Sequence, residues 1–500
     1  MNEKIVFWLD GNFFSFLLAN SLQQKLNCKL YGVIDCLDKP KKFFQEQNFV
    51  NFQKTWFYHD HINVDRNVDL NYLALFEEKY RIDLWLLVQN ERLFNNYNEY
   101  YKFKSNEILS ILEHECKLFE NILSEIKPDF FITVPTALHH HHLFHELCRS
   151  IGVKILMLNQ ANFGGRCIIS QEHNKIDNLD KLNNIKTTRS FEELQEYLKT
   201  VEASKQLLNY KSKFLVSKKE KLKAAIQFLI SDNTNNKTHY GYYGRTKLRV
   251  LIKEILYSLR TNYREAFINK NFNHEINIDQ PFVYFTLHQE PERILLIGSP
   301  FYTNQLETIK NIAKSLPINY KLYVKDHPTQ SIRGWRTLSF YREIMSLPNT
   351  VLIHPSVNSV EIIKKCSLVI TVSGTAALEA AFYKKPSIVL SDIGYSILPS
   401  VEKIKSVEDL PKVIRSSLSK KIDPEAIDKY MQLVDENSFL FDYYDFILDY
   451  TNYFYYGGHL ADVPIVAEKM NSFITKHKST FDLVAQEFLK KIQEQKLKYK

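Results

Sequence analysis

The sequence predicts an α/β protein made of two doubly wound parallel sheets, joined by a helical bridge and followed by a helical tail. Three observations carry this. Short β-branched and aromatic runs alternate with helical patterns in the first third of the chain and again after residue 280, as βαβ units require. The stretch between them, about 171–275, loses that alternation and becomes lysine-rich and helical. At roughly 100–200 residues per domain, 500 residues are too many for one core.

The first unit, 1–170, opens with KIVFWLD and KLYGVIDC as strands around the helical FFSFLLANSLQQKL. Asp10, Gly11 and Asn12 interrupt this apolar start and its basic flank is weak, so it reads as buried strand, turn and helix, not as a leader. DLWLLV, DFFITV and KILMLN read as further strands, with helices over 104–126 and 139–150. The bridge, 171–275, is helical over 191–230, carries a turn-prone and mobile loop at 231–245, and becomes helical and basic through 262. The third unit, 276–410, resumes the alternation with PFVYFTL, YKLYVKDHP, TVLIHP, SLVITV and PSIVL as strands. The tail, 411–500, is mostly helical, and no apolar run reaches bilayer-spanning length.

Apolar content of 45% and charged content of 24% are those of a soluble globular protein. A net charge of +8 is a mild excess that suits anionic ligands or an anionic membrane face, or plain solubility. A nucleic-acid partner is not expected, because no basic stripe interleaved with aromatics stands out. The six cysteines form no C-x-x-C pair, which fits a reducing cytoplasm better than a disulfide framework.

Ligands of open parallel sheets sit outside the carboxyl ends of the strands, so two facing sheets create a cleft. In VITVSGTAALEAAF a strand becomes a helix through Ser373, Gly374 and Thr375. Glycine permits close backbone approach, the helix start offers unpaired N–H groups, and the hydroxyls add donors. That is a seat for a phosphate; the alternative is an ordinary N-cap. Glu379, one turn in, either reaches a ribose or faces solvent. Lys325 and His327 in YKLYVKDHPTQ lie two apart on an extended segment, point the same way and make a cationic claw; the alternative is a surface histidine beside a turn proline. Two such elements on one sheet favour a nucleotide phosphate.

The segments VYFTLHQEPER, YKLYVKDHPTQ and PNTVLIHPSVNSVEIIKKCSLVITVSGTAALEAAFYKKPSIVL resemble the bacterial capsule polysaccharide synthesis family, which includes β-Kdo transferases. The resemblance is good over 281–401 and weaker over 1–170. It implies a GT-B fold and a cytidine-activated donor. It also implies that His327, Ser373 and Thr375 bind the donor phosphate and that Glu379 lies near the nucleoside. Where the family reads H-Y-Q-P-E, this chain has HQEPE over His288–Glu292, so Pro291 and Glu292 match and the residues before them are rearranged.

Glycosyl transfer needs a stabilised leaving group and either a general base or a carboxylate nucleophile. Asp10, at the exit of the first strand, and Glu292 are the catalytic candidates; their plainer readings are an N-cap and a solvated acid. His59, Asp60 and His61 of YHDHI, His139 and His140 of ALHHHHLFHEL, and His288 are the candidates for lining the cleft. His141 and His145 are four apart on a helix but lack an H-E-x-x-H pattern, so neither a metal nor a cofactor is expected. The basic, modestly amphipathic tail could touch anionic lipid. The expected function is transfer of a sugar from a CMP-linked donor to a glycan or lipid-linked glycan in surface polysaccharide synthesis, in the cytoplasm. The alternatives are a CDP-alditol-dependent polyol-phosphate transferase, a UDP-sugar epimerase and a non-catalytic assembly partner.

Overall fold

A computed structural model of the chain describes residues 3–65, 67–94, 97–161, 164–201, 218–231 and 239–497. Ile5 to Leu9 of the first strand are fully buried, which explains why this strand reads as an unbroken apolar run. This strand, β1 (Glu3–Asp10), is followed by β2 (Cys28–Asp35), β3 (Phe52–Phe57), β4 (Phe130–Thr133), β5 (Lys154–Gln160) and β6 (Arg166–Ser170). They pair in the order β6-β5-β4-β1-β2-β3. All pairings are parallel except that of β5 with β6.

The second sheet repeats the plan with β7 (Phe282–Thr286), β8 (Lys321–Lys325), β9 (Thr350–Ile353), β10 (Leu368–Thr371), β11 (Ser387–Val389) and β12 (Val401–Lys403). Its order is β12-β11-β10-β7-β8-β9, parallel throughout. Each sheet therefore switches direction between its first and fourth strands, where ligands of such sheets bind. Two doubly wound sheets with this order are the GT-B-like α/β fold that the sequence predicts.

Several elements differ from expectation. DLWLLV is not a strand: Leu84–Gln89 is helical, and its buried Leu84 and Val88 are four apart, a spacing a short apolar run shares with either element. β3 and β6 are not anticipated, because FQKTWF is interrupted by three consecutive polar residues and RCIIS is short and begins and ends on polar ones. Within 191–230, helices span Phe191–Val201 and Lys218–Ile230. The mobile loop expected at 231–245 lies partly outside the described residues, at 232–238. Its remainder is packed: Tyr240 is fully buried, and its hydroxyl lies 2.9 Å from that of Tyr58.

The chain ends on the first unit. β13 (Ser438–Leu440) pairs antiparallel with β6. The helix Ala467–Leu497 buries Phe473, Phe481, Phe488 and Ile492 in the same core as the helix Phe14–Leu22, with the rings of Phe14 and Phe481 5.5 Å apart. The apolar face that suggested lipid contact for the tail is used here. Among the described residues no helix is long and apolar enough to cross a membrane.

Candidate functional site

The donor-side candidates gather at the carboxyl ends of β7, β8 and β10. Ser373 is buried, and its Oγ has no hydrogen-bond partner among the described residues. Beneath it lies His288, whose Nε2 accepts the Ser373 N–H at 3.2 Å and is 3.3 Å from Thr371 Oγ1. Burial, with His327 and Arg336 nearby, lowers the His288 imidazole to about 3, so it stays neutral and accepting. His288 thus supports the Ser373–Thr375 turn and does not stand apart from it. A Cβ on Gly374 would lie 2.8 Å from Thr371 Oγ1, so the chain can pass this point only as glycine.

Neither hydroxyl is an N-cap in the structure. The helix Ala376–Ala381 has no side-chain cap hydrogen bond, and the Thr375 hydroxyl donates to Glu379 Oε1 at 3.1 Å. Glu379 is buried and does not face solvent. Lys325 and His327 do not form one claw, because β8 ends at Lys325 and the strand alternation stops there. Lys325 Nζ donates to Ser359 Oγ at 2.7 Å, while His327 Nδ1 lies 2.7 Å from Thr329 Oγ1. Burial lowers the Lys325 ammonium to about 8 although Glu379 opposes this. The two cations are therefore held separately, Lys325 by Ser359 and His327 by Thr329. Asp326 between them anchors the loop, accepting from the Tyr341 hydroxyl at 2.6 Å and from Arg336 Nε at 3.2 Å.

The N-terminal candidates meet at the carboxyl ends of β1 to β4. Asp10 and Asp35 are paired in register on β1 and β2. Asp35 accepts from His59 Nε2 at 3.1 Å and His140 Nε2 at 2.9 Å. Burial alone would raise its carboxyl, but the two imidazoles hold it well below the usual range. Asp10 has no such support: burial first, and then the Asp35 charge, raise it to about 7. Two carboxyls side by side with such different affinities for a proton are the arrangement from which acid and base roles are drawn.

Behind them runs a buried chain of polar groups. His139 bridges Glu91, at 3.0 Å from Nδ1, and Glu115, at 2.9 Å from Nε2. Burial would lower this imidazole, but the two carboxylates raise it to about 10. Glu115 also accepts from Tyr58, whose hydroxyl meets Tyr240. His239 stacks on His59 with ring centroids 3.5 Å apart. The YHDHI segment therefore divides: His59 joins the cluster, whereas Asp60 pairs outward with Lys41 at 2.5 Å and His61 is exposed.

Two groups have metal-ligand spacing, Glu115 with His139 and His140, and His142 with His145 and Glu146. In the first, His139 already joins Glu91 to Glu115. The second adjoins the half-buried Arg293, whose charge, after burial of the imidazole, helps lower His142 to about 3. His141 turns away to stack on Trp8, with centroids 4.4 Å apart.

The two edges are joined by Arg293 NH2 donating to Thr136 Oγ1 at 3.2 Å and Asn90 Nδ2 donating to the Pro300 carbonyl at 3.1 Å. Glu292 lies at this seam, half-buried, near Arg92 and Arg333. Burial raises its carboxyl to about 7 against the pull of both arginines. Sequence reasoning missed Asp35, Glu91, Arg92, Glu115, Tyr240 and Arg293. Asp35 was within reach, since VIDC ends a strand in an aspartate as WLDG does; the others become neighbours only through folding.

Residues 183–398 match the family described as "Capsule polysaccharide biosynthesis protein", the family the sequence resembles. No curated protein matches the sequence. Among solved structures, a UDP-GlcNAc 2-epimerase from Neisseria meningitidis bound to UDP-GlcNAc is 12% identical with a TM-score of 0.26, covering 87% of this chain and 100% of its own. KpsC from Thermosulfurimonas dismutans, a beta Kdo 2,7 transferase, is 10% identical with a TM-score of 0.29, covering 63% of this chain and 79% of its own.

Proposed function

From the premise that residues 183–398 are those of the capsule polysaccharide synthesis family, we propose that the protein is a cytoplasmic glycosyltransferase of surface polysaccharide assembly. It takes a sugar from a nucleotide-activated donor, with CMP as the leaving group, and passes it to a glycan acceptor. The observation that carries this reading is the buried Ser373 hydroxyl, without a partner among the described residues, just past β10, over His288 and before the Ala376–Ala381 helix. A buried hydroxyl without a partner costs about 1–3 kcal/mol, a cost that a phosphate oxygen would remove. His327 supplies a further donor to the leaving group, since the Ser373 and Gly374 N–H groups already donate to His288 and Thr371. Lys325 and Glu379, both buried beside it, face the nucleoside side. Asp10 serves as base toward the acceptor hydroxyl, and Glu292 closes the seam.

The test is a thermal-shift panel of CMP, CDP, UMP, UDP and GDP, since a ligand that binds only the folded state raises its apparent stability. CMP should stabilise most. A response to UDP alone would reject the cytidine donor, and conversion of a nucleotide sugar without acceptor would replace transfer by epimerisation.

A further inference from the structure

We propose that the paired helices Lys218–Ile230 and Lys247–Asn271 form a docking face for an anionic lipid bilayer. This goes beyond the transferase reading and does not rest on it.

The two helices run antiparallel. Lys247 Nζ donates to the Leu229 carbonyl at 2.8 Å, and Lys221 pairs with Glu254 at 3.6 Å. Within the longer helix Leu248, Ile252, Ile255, Leu259 and Tyr263 recur every three or four residues, so they share one face. That face is open: Leu248 is 69% exposed and Tyr263 66%. Leu222, Ile226 and Leu229 do the same on the shorter helix. Of the twenty-four exposed large hydrophobic side chains among the described residues, eleven lie on these two helices. Soluble helices bury such a stripe, and contiguous exposed patches mark interaction sites.

Charge selects the occupant. Residues 218–271 hold twelve Lys and Arg against four Asp and Glu, leaving fifty-three of each sign in the rest of the chain, so the entire +8 resides here. Arg260 is exposed beside the apolar stripe, whereas Arg249, Lys253 and Arg264 on the same flank reach inward to Tyr100, Glu99 and Gly334. Leucine and isoleucine on one face with basic residues beside them are the chemistry of a helix lying in a bilayer interface, and basic residues near an anionic leaflet add to the attraction. A second copy would bring the same positive charge against itself. The connection between the helices carries Tyr240 and His239 into the cluster around Asp35, so a bilayer on this face would lie beside the N-terminal side of the cleft.

The experiment is vesicle flotation of the full chain with phosphatidylcholine alone and with phosphatidylcholine plus phosphatidylglycerol. Binding should require phosphatidylglycerol and fall at high salt, where screening shortens. Ile252→Ser/Ile255→Ser/Leu259→Ser, on exposed positions, should abolish flotation without changing the melting temperature. Arg260→Glu should weaken partitioning by at least about fivefold. Absence of flotation, flotation indifferent to lipid charge and salt, or variants that float like the parent would overturn the proposal. So would light scattering that shows a dimer which the serine variant converts to monomer.

Discussion

Ser373 separates a structural hydroxyl from a ligand-binding one. Its Oγ is buried without a partner among the described residues, so Ser373→Ala removes an unsatisfied group and leaves unfolding free energy unchanged or slightly higher. The same change should weaken nucleotide binding about tenfold to a hundredfold, the worth of one hydrogen bond to an anion. Paired urea denaturation and nucleotide titration check this; a loss of stability with unchanged affinity would return Ser373 to a scaffold role. His327→Ala is the complement. It removes a side chain that holds its own loop through Thr329, and it should lower affinity by about tenfold to a hundredfold. An unchanged dissociation constant in the same titration would take His327 out of the donor site.

At the scale of elements, the bridge owes its position to the turn His239–Tyr242. Tyr240 is fully buried, stacks near Phe94 with centroids 6.0 Å apart, and meets Tyr58 by its hydroxyl. Tyr240→Ala should cost about 3–5 kcal/mol, as deletion of a buried aromatic does, and Tyr240→Phe about 0.5–1.5 kcal/mol for the hydrogen bond alone. Equilibrium unfolding measures both, and a cost below 1 kcal/mol for the alanine variant would show that this turn does not hold the bridge. The example also marks where sequence reading stops. Period and turn signals were enough to find β1, β2, β4, β5 and the strands β7 to β11, because each is a short apolar run that ends in small or polar residues. Tyr240 was assigned to a loop since SDNTNNKTHYGYYGRTK is polar around it, and its burial depends on Tyr58, 182 positions earlier. DLWLLV went the other way, because six apolar-rich residues satisfy both periodicities. The Ser373–Thr375 turn could be singled out as a candidate since its parts lie within one strand–helix step. The Glu91–His139–Glu115 chain was not, since its members are 24 and 48 positions apart.

Across the whole molecule, the proposed transfer draws on groups from both sheets, and two carboxyls near neutrality sit on opposite sides of the seam. Asp10 and Glu292 are each raised to about 7, chiefly by burial. An aspartate that ionises near 4 when unfolded and near 7 when folded stabilises the fold only while protonated. Its contribution is complete below about pH 4 and is lost as pH rises through 7. Asp10→Asn should therefore flatten the decline in stability between about pH 4 and 7, measurable by urea unfolding at several pH values. Activity runs the opposite way, because a base must be ionised: turnover should climb through pH 7 to a plateau. Asp10→Asn should abolish that limb and lower kcat by about a hundredfold to ten-thousandfold, while the nucleotide thermal shift stays intact. Asp35→Asn supplies the electrostatic control. Removing the neighbouring charge should move the limb to lower pH, since Asp35 is the like charge that helps hold the Asp10 proton. If Glu292→Gln, and not Asp10→Asn, removes the limb, the base belongs to the second sheet and the acceptor approaches from the opposite wall of the cleft.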